Sequence, residues 1–181
     1  MNIQAIPVGE NPPYDINVII EIPARCGPVK YEIDKDSGAL WVDRELTTAM
    51  VYPCNYGFVP HTLCGDGDPL DVLVVTAQPL LPGSVIRSRA VGMLVMEDES
   101  GLDNKILAVP ISKVTAAYDH IQDISDFSDD FLQTISHFFG HYKDHAKGKW
   151  VKIQGWQGFD LAKQEVLQSV IQFKEQASSA E

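Results

Sequence analysis

The 181-residue chain has few cysteines, no basic excess and no long apolar run, and each shortage removes a class of function. Cys26, Cys54 and Cys64 are odd in number and show no C-x-x-C spacing. A disulfide framework and a structural zinc site are therefore not expected, and a reducing cytoplasm is the expected location. Lysine and arginine total 14 against 25 aspartates and glutamates, a net charge of −11. That balance disfavours non-specific binding to nucleic acid or to anionic membranes. No apolar stretch approaches the ~20 residues a membrane span needs. The opening segment, MNIQAIPVGENPP, has no basic stretch leading into an apolar one, so no secretory signal is expected. Neither a Walker loop nor a Rossmann fingerprint is present, and internal repeats and low-complexity linkers are absent too.

What remains is an ordinary globular composition. At 45% apolar residues the chain can form a packed core, and its length suits one domain over 1–181, with the closing ASSAE expected as a frayed tail. INVIIEI reads as a strand stopped by Pro23. VKYEID alternates, with Val29, Tyr31 and Ile33 on one face and Lys30, Glu32 and Asp34 on the other. The turn-forming KDSG then joins it to ALWVDREL as a hairpin. DVLVVT, SVIRSRAVGMLVM and KILAVPI are three further strands, separated by a Pro82-Gly83 turn and the acidic loop EDESGLDN. The rest reads as mostly helical. One helix starts at Ser128, with Phe131, Leu132, Ile135, Phe138, Phe139 and Tyr142 at helical spacing. A second runs from Asp160 to about Gln176. Short strands with Gly/Pro turns and no βαβ alternation give an α+β class. The expected architecture is a small closed five-stranded β-barrel, OB-like, with two main helices packed outside.

GDGDPLDVLVV, residues 65–75, concentrates charge where the chain is about to be buried. Asp, Gly and Pro are turn residues, so a solvated turn is the plain reading. Against it, Asp71 opens a strand, where carboxylates are disfavoured, and three close aspartates repel unless a cation sits among them. An EF-hand does not fit: counted from Asp66, the sixth residue is Asp71 instead of Gly and the twelfth is Ala77 instead of Glu. All-carboxylate ligation selects a hard cation, Mg2+ or Mn2+ more readily than zinc. Room for two such ions would suit phosphoryl chemistry.

Two other groupings have plain readings as well. MEDESGLDNK gathers Asp98, Glu99, Asp103 and Lys105, and alone would be an acidic hairpin loop. Glu21 interrupts an apolar strand, while Lys30, Glu32 and Arg44 mark one face of the hairpin. Surface ion pairs of little energetic consequence would look the same. Were that face to line a barrel mouth, Lys30 and Arg44 would become phosphate ligands, with Arg able to grip bidentately.

GDGDPLD carries the D-x-D-P-x-D signature, and the chain here resembles the soluble family I inorganic pyrophosphatases of bacterial type. EIPARCGPVKYEID, YPCNYGFVPHTLCGDGDPLDVLV, EDESGLDNKILAVP and FFGHYKDHAKGKWVKIQGW resemble that family in order and spacing. The resemblance implies one catalytic domain that hydrolyses pyrophosphate to two orthophosphates by direct attack of a metal-activated water, with Mg2+ as the cofactor. Mn2+ or other divalent ions are implied as substitutes and Ca2+ as an inhibitor. It implies that Asp66, Asp71 and Asp103 hold the two metals that activate water, Asp71 bridging them, and that Asp68 is the general base. Asp98 and Asp103 would bind a further metal arriving with substrate, and Glu21 and Glu32 would act near the metals. Lys30, Arg44, Tyr56, Lys105, Tyr142 and Lys143 would hold the phosphates, with Tyr52 in support and with Tyr56 and Arg44 close to the chemistry. The partner it implies beyond pyrophosphate is the chain itself, as a homohexamer.

His137, His141 and His145 at i, i+4 and i+8 could chelate zinc or copper, but a polar helix face or a subunit contact is the expected reading. Trp150 and Trp156 are expected as core or wall residues. An oligonucleotide-binding barrel shares the architecture, yet the chain has no basic stripe for it. A two-metal phosphodiesterase or nucleotide hydrolase shares the carboxylate logic but finds nothing here to recognise a nucleoside.

Overall fold

Strands that carry apolar residues on both faces must be covered on both sides, and this chain uses them to build a wall buried on two faces. The computed structural model describes residues 1–179. Its strands are β1 (Ile16–Ile22), β2 (Val29–Ile33), β3 (Leu40–Glu45), β4 (Asn55–Phe58), β5 (Asp71–Val74), β6 (Val85–Asp98), β7 (Gly101–Leu102), β8 (Lys105–Pro110) and β9 (Val151–Gly158). The helices are α1 (Asp129–His141) and α2 (Phe159–Ser179).

Five strands close on themselves in the order β1–β4–β5–β8–β6 and back to β1. The expected five-stranded ring with two outer helices is thus borne out. All of its pairings are antiparallel except β5 with β8, which run parallel with Val72 opposite Ile106. Along β5 and β8, Val72, Val74, Ile106 and Ala108 join a core cluster that also takes Ala162 and Val166 of α2. The intervening Leu73, Leu107 and Val109 point to the other face, into a cluster with Ile135, Phe138 and Phe139 of α1. Alternation therefore survives, but both faces are greasy, which is why the sequence shows continuous apolar runs there.

β6 is long enough to leave the ring, and its outer half pairs with β9 and, at the tip, with β7. β9 was not anticipated in KGKWVKIQGW, a segment read as part of the helical remainder. The β2–β3 hairpin forms a separate two-stranded sheet beside the ring, and every residue of β3 is exposed. Ser128 caps α1, accepting a hydrogen bond from the Phe131 amide. α2 begins at Phe159, whose amide donates to Asp123 at 2.8 Å, and stays helical through Ser179. Residues 177–179 of the expected frayed tail are therefore helical, and its last two lie outside the described residues. Three thiols are free, as expected: Cys26 exposed, Cys64 half-buried and Cys54 buried.

The histidine face is shorter than its spacing suggests. His137 and His141 stack with ring centroids 4.6 Å apart, but α1 ends at His141, and His145 has a left-handed φ of 68°. Trp156 does serve as a wall residue, its indole donating to Ser136 at 2.9 Å, whereas Trp150 is 46% exposed and belongs to no core.

Candidate active site

Each site residue is placed by a local feature of the chain. β1 has a bulge between Ile20 and Ile22, so these two isoleucines enter different core clusters and Glu21 is turned to one side. Its carboxylate accepts a hydrogen bond from the Ile33 amide at 2.8 Å and lies 3.8 Å from Lys35. Burial pushes the Glu21 carboxyl up to about 7, against the pull of that amide and of Lys35. On the hairpin Lys30 and Arg44 are directly paired across the strands, next to a bulge at Lys30/Tyr31. Lys30 bonds Glu32 at 2.7 Å, and Arg44 bonds Asp43 at 2.7 Å.

The loop before β5 is a tight turn. The Asp68 amide donates to Asp66 at 3.0 Å, and the Cys64 amide donates to the Asp68 carbonyl at 2.8 Å. Gly67 between them has φ of 92°, a conformation other residues rarely adopt, and it lets both aspartates sit at the rim. Asp71 and Lys105 open the two parallel strands side by side. The Lys105 ammonium contacts Asp71, bonds Asp103 at 2.5 Å and reaches the Tyr56 hydroxyl at 3.4 Å. Across the cavity Lys143 bonds Asp98 at 2.6 Å, and Lys149 pairs with Glu99.

All of these side chains line one polar cavity of about 300 Å³. Every residue that the family resemblance assigned to the site is among them: Glu21, Lys30, Glu32, Arg44, Tyr52, Tyr56, Asp66, Asp68, Asp71, Asp98, Asp103, Lys105, Tyr142 and Lys143. Lys30, Glu32 and Arg44 come from the β2–β3 hairpin, Tyr142 and Lys143 from the end of α1, and the rest from the ring and its loops. The sequence motifs did not bring in Lys35 and Lys149, which also line the cavity. They lie in KDSG and KGK, ordinary turn and surface text with no pattern of their own.

The cavity's electrostatics are those of crowded like charges. Partial burial, together with neighbouring carboxylates, raises the Asp66 carboxyl above its ordinary value. Burial does the same to Asp103, with Asp71 adding to the effect and Lys105 opposing it. Glu99 shows the opposite outcome: burial works against ionisation, yet Lys149 and Lys143 hold its carboxyl down at about 2. Tyr56 and Tyr142 are raised by burial and stay protonated hydrogen-bond donors.

The donor set fits hard divalent cations. Asp66, Asp68, Asp71, Asp98 and Asp103 share one cavity, all offer oxygen, and two of them are held above their ordinary pKa by burial and, to a lesser degree, by neighbouring carboxylates. Among the described residues no three carboxylate, histidine or cysteine groups converge closely enough to hold an ion as they stand. Lys105 occupies the space between Asp71 and Asp103 instead.

Comparison with known proteins gives one consistent result. The family model described as inorganic pyrophosphatase matches residues 18–174. The inorganic pyrophosphatase of Xylella fastidiosa is 57% identical over 175 residues, covering 97% of this chain and 98% of that one. That of Escherichia coli is 57% identical over 169 residues, covering 93% and 96%. The solved structure of an inorganic pyrophosphatase from Coxiella burnetii superposes with a TM-score of 0.89 at 54% identity, covering 92% of this chain and 98% of that one.

Proposed function

This chain belongs to the inorganic pyrophosphatase family and is an enzyme that hydrolyses pyrophosphate to two orthophosphates, and we propose that Mg2+ is its metal and Asp68 its general base. The observation that supports this reading is the mixed lining of one cavity, carboxylates together with lysine, arginine and tyrosine. A substrate with several negative charges needs cations on every side, and neither half of that lining would serve without the other.

Asp66, Asp71, Asp98 and Asp103, with Glu21 and Glu32 nearby, are the residues that would hold Mg2+. Bound there, divalent cations offset substrate charge and make water a stronger nucleophile. Among the described residues the Asp68 carboxylate makes no ion pair and accepts no hydrogen bond, so it is open to take a proton. The turn holds its backbone at the cavity rim, through its amide's hydrogen bond to Asp66 and the one from the Cys64 amide. The water oxygen forms a bond to one phosphorus while its proton passes to Asp68. The bridging P–O bond breaks and its electron pair leaves with the second phosphate. Lys30, Arg44, Lys105 and Lys143 meet that charge, and the Tyr56 and Tyr142 hydroxyls donate to phosphate oxygens.

No helix among the described residues is long and apolar enough to cross a membrane. A cytoplasmic location, a homohexameric assembly, substitution of Mg2+ by Mn2+ and inhibition by Ca2+ belong to the same proposal. The test is phosphate release from pyrophosphate, ATP and a phosphodiester, each with Mg2+ and with chelator. Fast release from pyrophosphate alone, abolished by chelator, is the expected result. Preference for ATP, or indifference to chelator, would overturn the reading.

A further inference from the structure

We propose that Lys105 and the divalent metal compete for one place: in the metal-free protein the ammonium holds Asp71 and Asp103, and metal binding displaces it toward the substrate. The proposal rests on the metal reading above and adds a competition to it.

The parallel pairing of β5 and β8 sets Asp71 and Lys105 at the same rim of the sheet, one strand apart. The ammonium contacts Asp71 and lies 2.5 Å from Asp103, so it bridges two carboxylates that the metal reading assigns to an ion. Lys105 is only 2% exposed, and its ammonium sits 5.5 Å from the centre of the Tyr56 ring. Walled in elsewhere, a displaced ammonium can move only into the cavity it lines. The same cavity holds Arg44, Tyr142 and Lys143, the groups assigned to phosphate.

The charges require the exchange. Two carboxylates and one ammonium sum to −1, and a divalent ion added without displacement would stand beside a buried like charge. Once displaced, the ammonium has lost its carboxylate partners and needs an anion, which pyrophosphate supplies. Lys105 is in this sense a positioning residue for metal as well as a ligand for phosphate. While it remains on Asp71 and Asp103, its charge is neutralised and offers substrate little. Metal and substrate binding therefore favour each other.

The test is calorimetric titration of Mg2+ alone, without substrate, into the wild-type chain, Lys105→Met and Lys35→Met. Lys35 lines the same cavity but sits near Glu21, so it reports the general effect of removing a positive charge. Direct competition predicts at least about tenfold tighter Mg2+ binding in Lys105→Met, with a much smaller gain in Lys35→Met. A second readout is thermal: in chelator Lys105→Met melts below wild type, and Mg2+ raises its midpoint by more. Should Lys105→Met not fold without metal, Lys105→Gln removes the charge while keeping a hydrogen-bond donor and serves the same comparison. Affinity unchanged, weakened, or raised no more than in Lys35→Met overturns the proposal while leaving the enzyme assignment intact. A wild-type chain that binds no Mg2+ overturns the metal reading itself.

Discussion

Lys30 stands directly opposite Arg44 across the β2–β3 hairpin, two cations in one cross-strand pair, with Asp43 bonded to Arg44 and 3.6 Å from Lys30. Like charges so placed destabilise a hairpin, and a hairpin free of functional demands would not keep them. Arg44→Met should therefore separate the two roles. Its melting temperature is expected to match or exceed wild type, while kcat/KM for pyrophosphate falls by about 10²-fold, as for loss of a charge-stabilising donor. A fall in both would mean that Arg44 serves the hairpin and not the phosphate.

Among the described residues Asp68 is the cavity carboxylate that neither a lysine nor an amide holds, and its substitution has a distinct signature. Asp68→Asn should retain most Mg2+ affinity and lose at least ~10²-fold in kcat, as expected for a general base. Calorimetry and steady-state kinetics on the same preparation check both halves. Near-normal turnover would remove Asp68 from the chemistry.

Glu21 makes stability depend on pH in the metal-free protein. Burial pushes its folded carboxyl up to about 7, above its ordinary value of 4.5. Below the lower value both folded and unfolded chains hold the proton and the group costs nothing. Between the two the unfolded chain ionises first, so stability is lost as pH rises, and above 7 the whole penalty remains. Glu21→Gln has no such slope. In chelator the variant should match wild type near pH 4.5 and exceed it by up to about 3 kcal/mol above pH 8. Denaturant midpoints across that range would show a constant difference if burial of Glu21 were not responsible.

The thiols should react in order of burial. Burial pushes the Cys54 thiol up to about 12, and the side chain is 3% exposed, whereas Cys26 is exposed. At pH 8 iodoacetamide is expected to modify Cys26 within minutes and Cys54 only under denaturing conditions, by mass spectrometry of peptides. Comparable rates at the two positions would contradict the placement of Cys54 in the core.

How much of this was legible follows from the kind of signal each part carries. β1, β5, β6 and β8 are apolar runs bounded by turn residues, and α1 announces itself through Ser128 and six apolar positions at helical spacing. β9 escaped because it is half-exposed, carries Gly155 and Gly158, and follows the basic KGK. Its V-K-I-Q alternation was the available signal. β4 was hidden by Pro53 and Gly57. A Cβ at Gly57 would meet the Ile19 carbonyl oxygen at 2.0 Å, so close approach of the strands, not strand propensity, selects that residue. The carboxylates could be read as a group because electrostatics makes them conspicuous in one short segment. Lys35 and Lys149 could not, since an isolated lysine looks the same in the chain whether it faces solvent or a cavity. The histidine spacing misled because periodicity says nothing about where a helix stops.

The parallel join of β5 to β8 also sets a calendar for the chain as it is made. Asp71 and Lys105 lie 34 residues apart, so on the ribosome the acidic turn emerges well before the ammonium that neutralises it. An antiparallel neighbour could have closed through a short hairpin, but this pair must wait for β6 to be completed and to find β8. The corner that holds Asp71 and Lys105 is consequently closed by the last ring strand to be synthesised, after β1, β4, β5 and β6.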